Sequence, residues 1–454
     1  MSTKTSLRTR LITGFLFPLQ EHLKGHDTVQ IRRMMEDSQW WEPERIEEFR
    51  IERLRSFLVD VGQHVPYYRD LFAEQGFRPE SICHITDLQS LPLLTKSIIR
   101  KENDRLRADN ARGLARCNTG GSSGEPLIFF IDRERVTHDV AAKWRATRWW
   151  GVDIGDPEIV LWGSPIELGA QDRIRQIRDR FFRTTLLSAF EMSPLKVREF
   201  LDTIRQVRPQ MLFGYPSAFA HLAKQAETLG LVMHNLGIKV VFVTSEQLYD
   251  HQRELMERVF GCPVANGYGG RDAGFIAHQC PAGGMHLTHE DLIVEVIDSH
   301  GHCLPAGEAG EIVVTHLATR DFPFIRYRTG DIGILDSQPC PCGRTLPLLK
   351  EIQGRSTDFL VASDGTILHG LSLIYILRDL LGVEQFKIIQ ETRTLIRIRL
   401  VTNDMFDANV LEPFIRTDIQ ARLGSDVEVL IEHVVHIDSE ASGKYRYVVS
   451  HVNL

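Results

Sequence analysis

The 454-residue chain carries 53 Lys and Arg against 60 Asp and Glu, a formal net charge of −7, with 43% hydrophobic and 25% charged residues. That length allows about two to four domains with ample core, and the composition is that of a globular protein, not a fibrous or disordered one. The acidic balance argues against a general nucleic-acid binder, and no window approaches the ~18 apolar residues that span a bilayer.

Residues 1–110 read as mostly helical. Within them Ile46 to Arg55 places apolar residues at helical spacing with charges between. Leu11 to Leu19 is apolar and follows Arg8 and Arg10, but it contains Pro18, lacks a small-residue cleavage site and runs into Gln20-Glu21-His22. It reads as a packing segment, with a membrane-surface or partner contact as the other reading. From about 111 to 350 short apolar runs alternate with amphipathic stretches. Ile159–Trp162, Met211–Phe213 and Val240–Val243 read as buried strands, and Phe219 to Leu229 and His251 to Phe260 as helices. Such alternation predicts an α/β domain with mixed or largely parallel sheets flanked by helices. Ile293–Ile297 and Glu311–Val314 bracket a Gly/Pro loop and predict a small β subdomain. The tail, with strands near 386–389, 395–400 and 427–431 and a helix near 406–422, reads as a compact α+β unit. The seven cysteines are odd in number and mostly far apart, which is not a secreted disulfide framework and suits a reducing cytoplasm.

Thr119-Gly120-Gly121-Ser122-Ser123-Gly124-Glu125-Pro126 is followed at once by Leu127-Ile128-Phe129-Phe130. Glycines let backbone N–H groups turn toward a ligand, and hydroxyls add rotatable donors, so the segment can cradle a polyphosphate. It is not a Walker A loop, because no Gly-Lys-Ser/Thr follows. A surface loop before a strand is the plainer reading of that segment alone. Four further motifs follow in order: Asn266-Gly267-Tyr268-Gly269-Gly270-Arg271-Asp272, Tyr327-Arg328-Thr329-Gly330-Asp331, Gly354-Arg355-Ser356-Thr357-Asp358 and Ser442-Gly443-Lys444-Tyr445-Arg446.

This ordered set resembles the adenylate-forming superfamily of acyl-CoA synthetases, adenylation domains and luciferases, in its phenylacetate–CoA ligase-like and CapK-like branch. Ser38-Gln39-Trp40-Trp41, Val65-Pro66-Tyr67-Tyr68-Arg69 and Leu91-Pro92-Leu93-Leu94-Thr95-Lys96 extend the likeness to the N-terminal part. The resemblance implies an adenylation domain over 1–354 (helical 1–110, α/β core 111–350) and a mobile C-terminal domain over 355–454. It implies ATP, Mg2+ and a small carboxylic acid as substrates and cofactor, an acyl-AMP intermediate, and transfer to a thiol, most naturally CoA. Adenylyl transfer, or amide or ester formation on an amine or hydroxyl, is the alternative, and a nucleotide-binding scaffold without catalysis is a third. No nucleic acid and no membrane span are expected, and a homodimer is allowed.

By the same resemblance Thr119, Gly120, Gly121, Ser122, Ser123 and Gly124 would bind phosphates. Tyr268 beside Gly269 would stack on adenine, a contact that needs no sequence code, and Ser245 and Glu246 would edge the purine. Asp331 would hold the ribose diol, for which a two-oxygen carboxylate is suited, and Arg355 would reach ribose or phosphate. Lys444 would stabilise charge during adenylation, and Asp272, where Glu is usual, would bind magnesium. Leu127 stands where many relatives have Lys, and the pivot falls on Thr357 or Asp358. Phe213, Gly214, Tyr215 and Trp162 are candidates for the acyl pocket, which suggests an aryl or medium-sized hydrophobic acid. Separately, Cys280-x5-His286 and Cys340-Pro341-Cys342 could close a tetrahedral zinc shell. His278 and His289 compete as ligands, and buried free cysteines or a paired thiol are the other readings.

Overall fold

The computed structural model describes residues 6–118, 127–162, 178–189, 192, 194–355, 359–364, 367–369, 371–378, 380–438 and 446–452. After an antiparallel pair of short strands, β1 (Ala115–Asn118) and β2 (Ile128–Ile131), eleven strands build one mixed sheet. They are β3 (Glu158–Trp162), β4 (Thr184–Ser188), β5 (Met211–Gly214), β6 (Val240–Thr244), β7 (Val264–Gly270), β8 (Gly274–Gln279), β9 (Met285–Leu287), β10 (Leu292–Ile297), β11 (Ala309–His316), β12 (Tyr327–Asp336) and β13 (Leu348–Arg355). Their order across the sheet is β10-β11-β12-β13-β9-β8-β7-β6-β5-β3-β4.

The run β4-β3-β5-β6-β7 is parallel throughout. Every residue of β5 and β6 is buried, which explains their unbroken apolar sequence: helices cover both faces. Leu212, Val241 and Val243 point to one layer, with the helices Pro194–Val207, Pro216–Thr228 and Asp250–Phe260. Phe213, Val240 and Phe242 point to the other, against the helix Arg133–Trp149. The predicted hairpin of β10 and β11 exists and pairs in register from Leu292↔His316 to Ile297↔Glu311, but it forms the antiparallel end of this same sheet. The helix Pro43–His64 covers that end. Its Leu54, Phe57, Leu58 and Val61 recur at helical spacing and pack with Ile293, Ile312, Val314 and Phe324.

The chain divides into two compact units, one of 1–121, 125–329 and 333–352 and one of 122–124, 330–332 and 353–454. The second contains a four-stranded sheet, β18 (Glu428–His433), β17 (Leu395–Thr402), β16 (Val383–Thr392) and β19 (Val448–Ser450) in that order. A hairpin of β14 (Phe359–Val361) and β15 (Ile367–His369) and the helices Leu371–Arg378 and Ala408–Leu423 complete it. Gln390, a wholly buried amide of this unit, bonds the N–H and the C=O of Val361 at 3.0 and 2.7 Å and accepts from Ser450 Oγ at 3.0 Å, so this polar group inside the layer is satisfied.

The apolar stretch Leu11 to Leu19 is helical, as part of residues 7–24, yet it does not simply pack. Ile12 and Phe17 are buried, while Leu11, Phe15 and Leu19 face outward. Periodicity marks the helix but does not say which of two apolar faces the core will take.

Candidate active site

Four neighbouring parallel strands end at one edge of the large sheet, and each delivers a candidate residue there. Pairing of Leu161 with Gly214, Gly214 with Val243, and Thr244 with Gly267 aligns the ends of β3, β5, β6 and β7. Trp162, Tyr215, Ser245 and Tyr268 follow in that order. Carboxyl ends of parallel strands are where open α/β sheets form ligand crevices, because the loops leave the backbone there and helices cover the remaining faces.

Tyr268 lies on β7, half-buried, opposite Ala277, with a bulge between it and Gly269. The chain then turns sharply through Asp272 into β8. Gly269 is required by the close approach, since a Cβ there would fall 2.2 Å from the Gly274 carbonyl oxygen, and a Cβ at Gly270 would displace Asp272 Oδ1, 2.6 Å away. Both carboxylate oxygens of Asp272 are oriented. Oδ1 accepts from the Ala273 N–H at 3.1 Å and Oδ2 from the Tyr327 hydroxyl at 2.7 Å. Each oxygen keeps a lone pair for a cation.

Tyr327 is itself clasped by the Leu91–Lys96 motif. Leu94 donates its N–H to the Arg326 carbonyl and accepts from the Arg328 N–H, both at 2.9 Å, so the backbone is held on either side of the tyrosine. Arg326 has a left-handed φ of 48°. Its guanidinium bonds Glu295 at 3.0 and 3.1 Å and the Leu91 carbonyl at 2.7 Å, contacts that offset the strain of a non-glycine residue in that region.

Beneath the turn sits the wholly buried Arg135, from the first turn of the helix Arg133–Trp149. It donates to Asp139 at 2.7 Å and to the carbonyls of Arg271 and Asp272 at 3.3 and 3.5 Å. His316 Nε2 lies 3.7 Å from Asp139, while its Nδ1 accepts from the Ala318 N–H at 3.2 Å, which places the ring proton on Nε2. Burial first, then the charge of Arg135, pushes this imidazole down to about 4, so it is neutral at pH 7. Sequence reasoning missed Arg135, His316 and Tyr327. The signal available was an i, i+4 Arg–Asp pair in a helix start and a tyrosine at the head of the Tyr327–Asp331 motif.

Ser245 leaves β6 at a left-handed φ of 74°, a strained position of the sort that clusters at binding sites. Glu246 Oε2 accepts from the Ser217 N–H at 3.2 Å at the start of the helix Pro216–Thr228, where a carboxylate meets the positive helix end. The acyl-pocket candidates meet: Trp162 stacks on Tyr215 with ring centroids 4.5 Å apart and on Phe213 at 6.1 Å. Lys143 Nζ lies 3.8 Å from the centroid of Phe213. Phe213 and Tyr215 are buried and Trp162 is half-buried, so the tryptophan is the accessible face of the stack.

Away from this edge, Cys280, His286, Cys340 and Cys342 bring one ligand atom each within 4.8 Å of one another. Cys280 and Cys340 sulfurs are 3.6 Å apart, too far for a disulfide and close to the roughly 3.8 Å that tetrahedral Zn–S bonds of ~2.3 Å impose. His286 Nδ1 bonds the Leu346 carbonyl at 3.2 Å, which leaves Nε2 unprotonated and facing Cys342 Sγ at 3.2 Å. Gly284 admits the cluster, since a Cβ there would fall 2.7 Å from Cys340 Sγ. Gln39 of the Ser38–Trp41 motif braces it from outside, accepting from Trp149 Nε1 at 2.9 Å and Arg344 Nε at 3.0 Å. His278 is buried and His289 half-buried elsewhere, and neither takes part in the cluster.

Comparison with known proteins follows this geometry. The family described as AMP-binding enzyme matches residues 184–318, and the CapK C-terminal domain matches 360–451. Protein CapK of Staphylococcus aureus is 22% identical over 449 residues, covering 97% of this chain and 96% of its own. Phenylacetate-coenzyme A ligase of Pseudomonas putida is 26% identical over 327 residues, covering 70% and 72%. The chain belongs to the adenylate-forming superfamily, in its phenylacetate–CoA ligase and CapK branch. In fold it is similar to 2-hydroxyisobutyryl-CoA ligase in the postadenylation state in complex with R3-HIB-AMP, at a TM-score of 0.73 and 21% identity over 90% of each chain.

Of the residues expected for this superfamily, Asp331 lies on β12, four residues beyond Tyr327, and Arg355 ends β13. Thr119 to Gly124, the pivot at Thr357 and Asp358, and Lys444 lie outside the described residues, as does the side chain of Arg355. Leu127, at the usual lysine position, is buried in the core, so the departure is an apolar anchor for the strand that follows.

Proposed function

We propose that this adenylate-forming enzyme joins a carboxylic acid to AMP at the expense of ATP and then passes the acyl group to CoA. The observation that carries the reading is the single sheet edge at which Trp162, Tyr215, Ser245 and Tyr268 emerge together beside the oriented carboxylate of Asp272.

Each residue then has a task. Tyr268 offers a half-exposed ring for an adenine. Asp272, with both oxygens aimed, would hold magnesium, which neutralises phosphate charge when bound. The glycine-serine loop 119–124 would supply N–H and hydroxyl donors to the phosphates, and Asp331 would accept from the ribose hydroxyls. A carboxylate and a triphosphate repel, so a cation such as Lys444 at the reacting oxygens lowers the barrier to attack on the α-phosphorus with loss of pyrophosphate. The half-buried Trp162 on its aromatic stack suits an aryl or medium-sized hydrophobic acid. The C-terminal domain, turning about 354–358, would let one site serve adenylation and thioester formation in succession. The Cys280–His286–Cys340–Cys342 shell would hold a structural zinc, stapling the turn after β8 to the loop before β13. All seven cysteines are free, which fits a reducing compartment such as the cytoplasm.

The test is acid-dependent pyrophosphate–ATP exchange across aryl and aliphatic acids, then product release with CoA or with an amine or hydroxyl acceptor. Exchange that needs an acid, release that needs CoA, and loss of exchange in Lys444→Ala are expected. No exchange with any acid sinks the reading; release with an amine or hydroxyl alone moves the acceptor.

A further inference from the structure

The helical segment 7–24 has two faces of opposite character. It runs through Leu7–Leu11, a π-helical turn Ile12–Leu16 and Phe17–Lys24. On the inner face Thr9, Ile12, Phe17 and Glu21 are buried. Thr9 Oγ1 donates to Asp156 Oδ1 at 2.8 Å, and the Phe17 ring meets Trp144 edge-on at 5.0 Å and Phe182 at 5.9 Å. The helix is thus fixed to the body of the protein. The outer face carries Leu7, Leu11, Phe15, Leu19 and Leu23, every fourth residue, with 85, 55, 59, 44 and 79% of their surface exposed.

Every fourth position advances about 40° around an α-helix, so such a stripe would wind sideways over its length. The wider π turn in the middle offsets that drift and keeps all five side chains outward. Scattered exposed apolar residues are ordinary, but an aligned row on an anchored helix asks for an apolar neighbour.

The charges around the row are selective. Arg8, Arg10 and Lys24 are exposed. The acid of the segment, Glu21, is turned inward and accepts from Thr28, His26 and Lys24 at 2.6, 3.0 and 3.1 Å. The charge of Arg8 reaches Arg183, and burial first, then that like charge, lowers its pKa below the ordinary range against the opposing pull of Asp156. Asp156 is buried and bound by Thr9, and Asp27, exposed, follows just beyond the segment. Within a chain of net charge −7 this is a basic, apolar ridge.

We propose that this ridge lies flat on an anionic lipid surface, with Leu7, Leu11, Phe15, Leu19 and Leu23 in the acyl boundary and Arg8, Arg10 and Lys24 at the headgroup phosphates. No helix among the described residues is long and apolar enough to cross a membrane, so the contact is with one leaflet. An apolar row answered by phosphates on its flanks is the chemistry of a bilayer surface; a protein groove would meet the row but would not require a cationic border. The inference stands independently of the acid and acceptor assigned above.

The experiment uses the full-length protein and sedimentation with vesicles of phosphatidylcholine alone or mixed with phosphatidylglycerol. Binding to the mixed vesicles, several-fold weaker in high salt and weaker still to the neutral ones, is expected. The triple change Leu11→Glu, Phe15→Glu, Leu19→Glu should abolish binding and leave thermal midpoint and pyrophosphate exchange unchanged. A second variant, Arg8→Glu with Arg10→Glu, removes no packing and should lose the preference for anionic vesicles. Wild-type protein that stays in the supernatant with anionic vesicles overturns the proposal. So does a dimer that the triple change dissociates without any vesicle binding, since the row would then serve a second copy of the chain.

Discussion

The Tyr327 hydroxyl donates to the Asp272 carboxylate at 2.7 Å, joining two sequence motifs 55 residues apart. The Leu94 backbone, bonded on both sides of Tyr327, makes that contact a fixed one. A carboxylate aimed by a tyrosine keeps a cation in one place without ordering itself at each turnover.

Replacing Tyr327 with Phe should therefore raise the magnesium concentration needed for half-maximal exchange by about tenfold, since a hydrogen bond to a charged group contributes about 1.5–3 kcal/mol. The ring, which packs edge-on against Phe324 at 4.9 Å, is kept, so the thermal midpoint should move little. An unchanged magnesium titration would deny the tyrosine its orienting role.

The cysteine shell should carry about one zinc per chain in the purified protein, measured by metal analysis. Cys340→Ser should lose that metal and lower the thermal midpoint, as should a strong chelator applied to the parent protein. If the purified protein holds no metal and its midpoint ignores chelator, the cluster is four neighbouring side chains and nothing more.

Trp162 is the half-buried member of the aromatic stack, with Tyr215 behind it at 4.5 Å. Trp162→Ala should shift acid preference toward bulkier substrates in the exchange assay, by about 1–3 kcal/mol in kcat/KM ratio, the range that changes in an apolar pocket command. Equal loss for all acids would instead indicate a packing role.

Stability should fall on acidification between about pH 6.5 and pH 4. Burial pushes His316 down to about 4 and His278 to about 3, and holds His289 well below its ordinary range. Above pH 6.5 these imidazoles are neutral in both states and contribute no pH dependence. Below it the unfolded chain takes up protons that the folded chain refuses, which costs on the order of 2 kcal/mol per histidine at pH 5. The depressed Asp291 and Asp139, where burial is outweighed chiefly by His138 and Arg53 in one case and Arg135 in the other, lose their contribution at still lower pH and act in the same direction. A thermal midpoint flat from pH 7 to 4.5 would contradict this account.

How far each feature was legible follows from its range along the chain. Strands β5 and β6 could be read because burial on both faces leaves uninterrupted apolar runs, and the tail's strands and helix because their periods differ. The Cys280–His286 and Cys340–Cys342 pairs stood out as residue types, yet only folding excluded His278 and His289 from their company. The stretch Leu11 to Leu19 reads as a packing segment or a surface contact, and only folding puts Ile12 and Phe17 inside and Leu11, Phe15 and Leu19 outside, because hydrophobicity carries no information about which face is covered.

The sequence by itself determined the family, the α/β alternation and the order of the motifs, since these depend on residue type and local spacing. Tertiary structure alone decided that Trp162, Tyr215, Ser245 and Tyr268 end at one edge, because strand order does not follow chain order. It also decided that Arg135, His316, Leu94 and Tyr327 serve the turn at Asp272. Those are hydrogen bonds and packing between residues far apart in the chain, 55 positions for Tyr327 and Asp272 and 137 for Arg135 and Asp272, and no local pattern encodes so distant a partner.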